Sequence, residues 1–161
     1  MLVHHQFVET KVKAGLILPL TQIGDVYSAE AQNFSGKGRI KFPNGDVYEG
    51  DFNGGKMEGK GLLTSENGDR YQGQFKNGFK HGVGQFQAQA GERYEGTWLY
   101  NKREGDDAVA TEVDGSRYEG SYTANQKHGQ GTIHYVDGSR FEGVFRHGAP
   151  YKGTLTQRNG S

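Results

Sequence analysis

From residue 48 onward the chain alternates. Tyr48, Gly50 and Phe52 stand on one side of a period-two pattern, and Glu49 and Asp51 on the other. The same figure returns as Tyr71–Gln72–Gly73–Gln74–Phe75, Tyr94–Glu95–Gly96–Thr97–Trp98, Tyr118–Glu119–Gly120–Ser121–Tyr122 and Phe141–Glu142–Gly143–Val144–Phe145. Strand side chains alternate with period two, so each run predicts a short strand whose aromatics and glycine share a face. A second figure follows each first: Gly59–Lys60–Gly61–Leu62–Leu63, Gly82–Val83–Gly84–Gln85–Phe86 and Gly129–Gln130–Gly131–Thr132–Ile133, with Gly36–Lys37–Gly38–Arg39–Ile40 ahead of them. The leading aromatics fall at 48, 71, 94, 118 and 141, a spacing of 23, 23, 24 and 23. A fixed period of that size marks a repeat array.

Asn44–Gly45, Asn67–Gly68, Asp114–Gly115 and Asp137–Gly138 close the units and supply the positive φ that tight hairpin turns demand. Each unit is therefore expected to be a β-hairpin joined by a further turn to the next, in one antiparallel meander. Glycine weakens a strand interior by roughly 0.5–1 kcal/mol relative to Ala, so its recurrence needs a reason. Between two aromatics it leaves bare backbone on which a neighbouring ring can lie. Two units depart from the pattern. In the fourth, Lys102–Arg103–Glu104–Gly105–Asp106–Asp107 puts Asp107 where a second glycine is expected, with one extra residue before Asp114, and a bulge is expected there. In the last, Lys152–Gly153–Thr154–Leu155 ends one residue early.

Composition fits a sheet better than a globule. Hydrophobic residues make up 32% of the 161, against roughly 45–50% apolar content in ordinary domains. The nine Tyr, nine Phe and Trp98 must supply most of the burial. The 19 cationic and 19 anionic side chains cancel, giving no global pull towards nucleic acid. Cysteine is absent, which excludes disulfides and thiolate metal sites. No stretch reaches the roughly 20 apolar residues of a membrane helix. Residues 1–24 read as a tail with capping strands, and residues 11–31 carry a faint export-signal pattern, an alternative to a cytoplasmic or membrane-peripheral location. Ile23–Gly24–Asp25–Val26–Tyr27 echoes Asn44–Gly45–Asp46–Val47–Tyr48, so a degenerate unit, with Ala29 and Ala31 in place of a glycine and an aromatic, is expected over 25–47.

These residues resemble the membrane occupation and recognition nexus (MORN) repeat, whose unit reads approximately Tyr-x-Gly-x-Phe/Trp, an Asn-Gly loop, His-Gly-x-Gly, an apolar residue, then Asp-Gly. Residues 48–145 carry the match, and degenerate units extend it to about 25–160, giving units 25–47, 48–70, 71–93, 94–117, 118–140 and a truncated 141–161. The resemblance implies an all-β fold: a single-layered, twisted antiparallel sheet of stacked hairpins, open-ended, rod-like or half-open with an aromatic groove.

The strand glycines do not form a phosphate cradle, because no segment of helical period follows them. His81 and His128 share one repeat position, His4 and His5 are terminal, and His134 and His147 lack partners at a ligand spacing. No metal, no cofactor and no catalytic constellation is expected, and the chain is not read as an enzyme. Glu49, Glu95, Glu119 and Glu142 recur at one strand position as solvated or cross-strand paired carboxylates.

Two surfaces stand out. The first is a groove for a protein partner, lined by Phe75, Tyr94, Trp98, Tyr100, Tyr122 and Phe145, because exposed aromatic patches mark interaction sites. On that view Trp98→Ala weakens binding and leaves the fold intact. The second is a basic edge with Lys76, Lys80, Lys102, Arg103, Lys127 and Arg146, the alternative being a peripheral membrane adaptor that meets anionic phospholipid there. Unpaired end strands also invite homo-oligomerisation. The leading expectation is a non-catalytic interaction module or scaffold.

Overall fold

A computed structural model of the chain describes residues 17–19 and 34–159. His4, His5, Tyr27, Ala29 and Ala31, and most of segment 11–31, lie outside the described residues. The chain divides into two compact units, 1–79 and 80–161. The first holds β1 (Ile17–Pro19), β2 (Gly36–Lys41), β3 (Val47–Asn53), β4 (Lys56–Thr64) and β5 (Arg70–Lys76). The second holds β6 (Phe79–Gln87, which starts one residue before the division), β7 (Arg93–Leu99), β8 (Lys102–Thr111), β9 (Arg117–Thr123), β10 (Gln126–His134), β11 (Arg140–Arg146) and β12 (Ala149–Thr156). Within each unit every strand pairs antiparallel with the next in sequence. The fold is all-β, and no helix occurs among the described residues.

Two kinds of turn alternate, and they divide the positive φ differently from the sequence reading. At the Asn-Gly and Asp-Gly sites only the glycine is left-handed, as with Gly68 at φ +96°. Gly68 N donates to Ser65 O at 2.9 Å and Ser65 N to Asp69 O at 2.8 Å. Asn67 contributes its side chain instead, Oδ1 accepting from Asp69 N at 3.0 Å. This is a type I turn followed by a left-handed residue. Asp114 and Asp137 do the same for the amides of Ser116 and Ser139. The two-residue turns with both φ positive lie at the other ends of the strands: Gly54–Gly55, Asn77–Gly78, Tyr100–Asn101, Ala124–Asn125 and His147–Gly148. Their backbone twist matches that of the flanking strands.

The first glycine of the second figure also has a conformational reason. Gly59, Gly82, Gly105 and Gly129 have φ between +70° and +104°. The register slips in β3–β4 and β9–β10 enclose Gly59 and Gly129, so a bulge belongs to the regular hairpin. What sets β8 apart is a second slip, against β9, between Gly105 and Ala108. That moves Ala108, not Asp107, into the position of the second glycine, where it pairs with Gly120. Asp106 and Asp107 are exposed on the bulge.

The core is the aromatic face itself. Tyr48, Tyr71, Tyr94 and Tyr118 are at most 1% exposed, and Phe52, Phe75, Trp98, Tyr122 and Phe145 at most 4%. The rings meet edge to face. Tyr48 touches Phe52 and Phe75 with centroids 5.1 and 5.0 Å away, and Tyr71 touches Phe75 at 5.1 Å. In the second unit the sequence Trp98, Tyr94, Tyr122, Tyr118, Phe145, Phe141 is continuous at 4.9–5.4 Å. Such pairs contribute roughly 0.5–1.5 kcal/mol each beyond burial. Every leading tyrosine turns its hydroxyl back to the carbonyl three residues on: Tyr48 to Asp51, Tyr71 to Gln74, Tyr94 to Thr97 and Tyr118 to Ser121, at 2.7–2.8 Å. The glycines are where the rings pass. A Cβ on Gly131 would lie 2.6 Å from Cε1 of Tyr118, and one on Gly50 would lie 2.5 Å from Cα of Gly61.

Candidate functional site

Of the six residues expected to line a groove, five belong to this buried ladder. Phase and alternation place Phe75, Tyr94, Trp98, Tyr122 and Phe145 on one face, but ring contacts leave each no more than 4% exposed. Trp98 also donates its Nε1 to Gly84 O at 3.3 Å. The expectation that Trp98→Ala spares the fold is therefore overturned: the indole is core. Tyr100 differs from the rest. It sits in the turn between β7 and β8, 50% exposed.

The six expected edge cations separate in the same way. Three of them turn onto the rings. Lys80 Nζ stands 5.3 Å from the Trp98 centroid, Arg103 Cζ 4.7 Å from that of Tyr94, and Lys127 Nζ 5.5 Å from that of Tyr118. Arg103 and Lys127 lie opposite Trp98 and Tyr122 in the strand register. Their beat runs Met57, Lys80, Arg103, Lys127 and Pro150, so cations occupy the middle of the series and apolar residues its ends. Acids from the opposite end of the hairpins reach them, Glu92 to Arg103 at 3.2 Å and Glu112 to Lys127. Both cationic side chains are only 15–16% exposed, as cations over a π face are when packing strips their water. Lys76 and Lys102 are exposed, and Arg146 lies over the Tyr151 ring at 3.9 Å. A basic edge of six is thus reduced to three.

The sequence reading missed this row because it assigned the lysines to loops. The signal was present in the 23- and 24-residue beat they share with the tyrosines. It also missed the compensation beside it. Ile40, Leu63, Phe86, Ala110 and Ile133 pair with the leading tyrosines, and Ala110 is the small one, beside which Arg103 covers the Tyr94 ring.

Burial holds the phenols of this face protonated. Tyr94 and Tyr118 are each pushed up to about 12 by loss of solvent, and Tyr48 and Tyr122 are raised further for the same reason. On the other face, of the four recurring glutamates Glu95 and Glu119 have partners, and Glu49 and Glu142 are exposed. Glu119 meets Arg117 at 2.6 Å and His134 at 3.3 Å, Glu95 accepts from Gln85 at 3.1 Å, and the Lys37 ammonium holds the Asp51 carboxyl below its ordinary range. The His81 ring packs at a tilt against Tyr100 with centroids 4.6 Å apart, and His128 meets His147 edge to face at 6.1 Å. No group of three or more potential metal ligands occurs among the described residues.

The family model for the MORN repeat matches residues 32–47, 48–70, 71–93, 94–105 and 118–140, more than half of the chain. The chain belongs to the MORN-repeat family. Its fourth match stops at Gly105, one residue before the bulge at Asp106 and Asp107, so the break in the MORN pattern and the break in register coincide. Among solved structures, this MORN chain is similar to the TCP domain of SAS-4 (dCPAP) of Drosophila melanogaster, determined in complex with a proline-rich motif of Ana2 (dSTIL). The two are 17% identical with a TM-score of 0.46, over 83% of this chain and 71% of that one. No curated protein matches the chain.

Proposed function

We propose that this chain is a non-catalytic protein-interaction module, a MORN-repeat scaffold that receives a segment of a partner protein against its aromatic face. The observation that carries this reading is the row Lys80, Arg103 and Lys127, one cation per repeat, standing over the rings. A cation already stripped of part of its water loses less on meeting a carboxylate than one on an open surface. Acidic side chains of a partner then exchange with Glu92 and Glu112. Phe75, Tyr94, Trp98, Tyr122 and Phe145 act as the floor that holds the row in place, and the contacting atoms are the cations.

The test is selection of displayed 12-residue peptides on the folded chain, followed by titration against Lys80→Gln and Lys127→Gln. Selected peptides rich in Asp and Glu should lose about tenfold in affinity on either variant, and bind less well at higher salt. Peptides indifferent to both substitutions and to salt would remove this reading. A membrane reading is supported only by the exposed Lys76, Lys102 and Arg146. It requires flotation with anionic liposomes at low salt, and no binding there ends it.

A further inference from the structure

The turn Tyr100–Asn101 breaks a local rule that the other two-residue turns obey more closely. Its first position needs a left-handed backbone, and the repeats fill it with Gly54, Asn77, Ala124 and His147. Here it holds a tyrosine at φ +45°. A bulky residue in that region is a strained choice, and burial does not offset it, since half of the side chain remains exposed.

The strain is held by a stiff frame. Asn101 N donates to Lys80 O at 2.9 Å, and Lys80 N donates to Asn101 Oδ1 at 2.8 Å. The His81 ring packs on the phenol at 4.6 Å, and Tyr100 N meets His81 Nδ1 at 3.4 Å. Beside the turn, on the face opposite the ladder, Leu99 is 44% and Val83 63% exposed. Leu99 pairs with Lys102, which is exposed. The nearest acid on that strand, Glu104, has its Oε1 engaged by the amide of Ala124 at 3.0 Å. The surface is therefore an ordered aromatic and two aliphatics with a cation at the flank. Rigid exposed aromatics are the residues that anchor interfaces, because little rotamer freedom remains to be lost.

We infer that the β7–β8 turn is a docking anchor, with Tyr100 at its centre, for a partner segment that places a carboxylate next to a leucine or an aromatic side chain. The carboxylate meets Lys102, and the apolar side chain lies on Tyr100 and Leu99. This rests on the interaction-module reading and adds the anchor and its chemistry.

The experiment uses the whole chain. Peptides of 12 random residues are selected on the wild type and then measured against Tyr100→Asn, Lys102→Glu and, as a control for the ladder row, Lys80→Gln. Asn is what the second regular repeat carries at this position, as Asn77, and it accepts a left-handed φ. The expected result is that selected peptides pair Asp or Glu with Leu, Phe, Tyr or Trp, and lose about tenfold or more on Tyr100→Asn and on Lys102→Glu. The midpoint of thermal unfolding of Tyr100→Asn should be unchanged or higher. Peptides that ignore both substitutions but weaken on Lys80→Gln overturn the anchor and leave the module reading standing. Peptides that ignore all three overturn both. A lowered unfolding midpoint for Tyr100→Asn would show that the tyrosine serves the fold, and would overturn the anchor as well.

Discussion

Hairpins β7–β8 and β9–β10 carry the same two rows of rings, yet they make room for a ring to cross the neighbouring backbone by different means. In β9–β10 two glycines face each other. A Cβ on Gly120 would lie 2.5 Å from Cα of Gly131, and a Cβ on Gly131 would enter the Tyr118 ring. In β7–β8 the inserted residue brings Ala108 beside Gly96, where a Cβ on Gly96 would stand 3.2 Å from Cα of Ala108 and 2.8 Å from Oη of Tyr94. The approach is wider, an alanine fits, and the Arg103 guanidinium comes to 4.7 Å from the Tyr94 centroid. The comparison separates the motif from its cause. A ring crossing a backbone requires space, which a glycine pair supplies by lacking a Cβ and a bulge supplies by shifting the strand.

The largest effect expected from breaking either hairpin is at Trp98. Trp98→Ala removes a buried indole in contact with Tyr94 and Phe86, and should cost about 3–5 kcal/mol in urea unfolding. A cost under about 1 kcal/mol would mean the indole is not core. The next two substitutions set the hairpins against each other. Gly131→Ala should cost about 3 kcal/mol and Gly96→Ala about 1 kcal/mol, the order following the room each Cβ would find. Equal costs would erase the distinction between the two solutions.

The smallest effect concerns both hairpins alike. Tyr94 and Tyr118 have folded-state values near 12, above their ordinary 10.0, because burial favours the neutral phenol. A raised value contributes stability that is fully present below pH 10 and is lost as the pH rises through 12. Unfolding midpoints in denaturant should therefore be flat from neutral pH to about 10 and fall beyond it. A midpoint that rises above pH 10 would contradict the burial of these hydroxyls.

Much of the fold was legible because one period carries it. Alternation put Tyr71, Gly73 and Phe75 on one face, and the repeat fixed where the strands turn. Two things were not legible. Alternation gives the face of a side chain but not its exposure, so Phe75 and Trp98 looked like groove lining when neighbouring repeats already covered them. It also gives no account of a long side chain's direction: Lys80, Arg103 and Lys127 follow turns, and it is the folded chain that turns them back over the rings. The reassignment of the second glycine's place from Asp107 to Ala108 has the same origin, since a one-residue slip reverses which side chain faces inward. Tyr100 was named, but as one of six. Its place on the beat of Gly54, Asn77, Ala124 and His147 was readable, but the left-handed backbone at that beat was not, because the positive φ was assigned to the Asn-Gly and Asp-Gly pairs instead.

The central claim is that the strand glycines exist to admit the tyrosine rings, so that the aromatic face is a core. A double-mutant cycle between Gly131 and Tyr118 tests it most directly, because the three atoms nearest a Cβ on Gly131 are the Tyr118 hydroxyl oxygen and two of its ring carbons. With Tyr118 present, Gly131→Ala should cost about 3 kcal/mol; in a Tyr118→Ser background it should cost less than about 1 kcal/mol. The same cost in both backgrounds would contradict the claim.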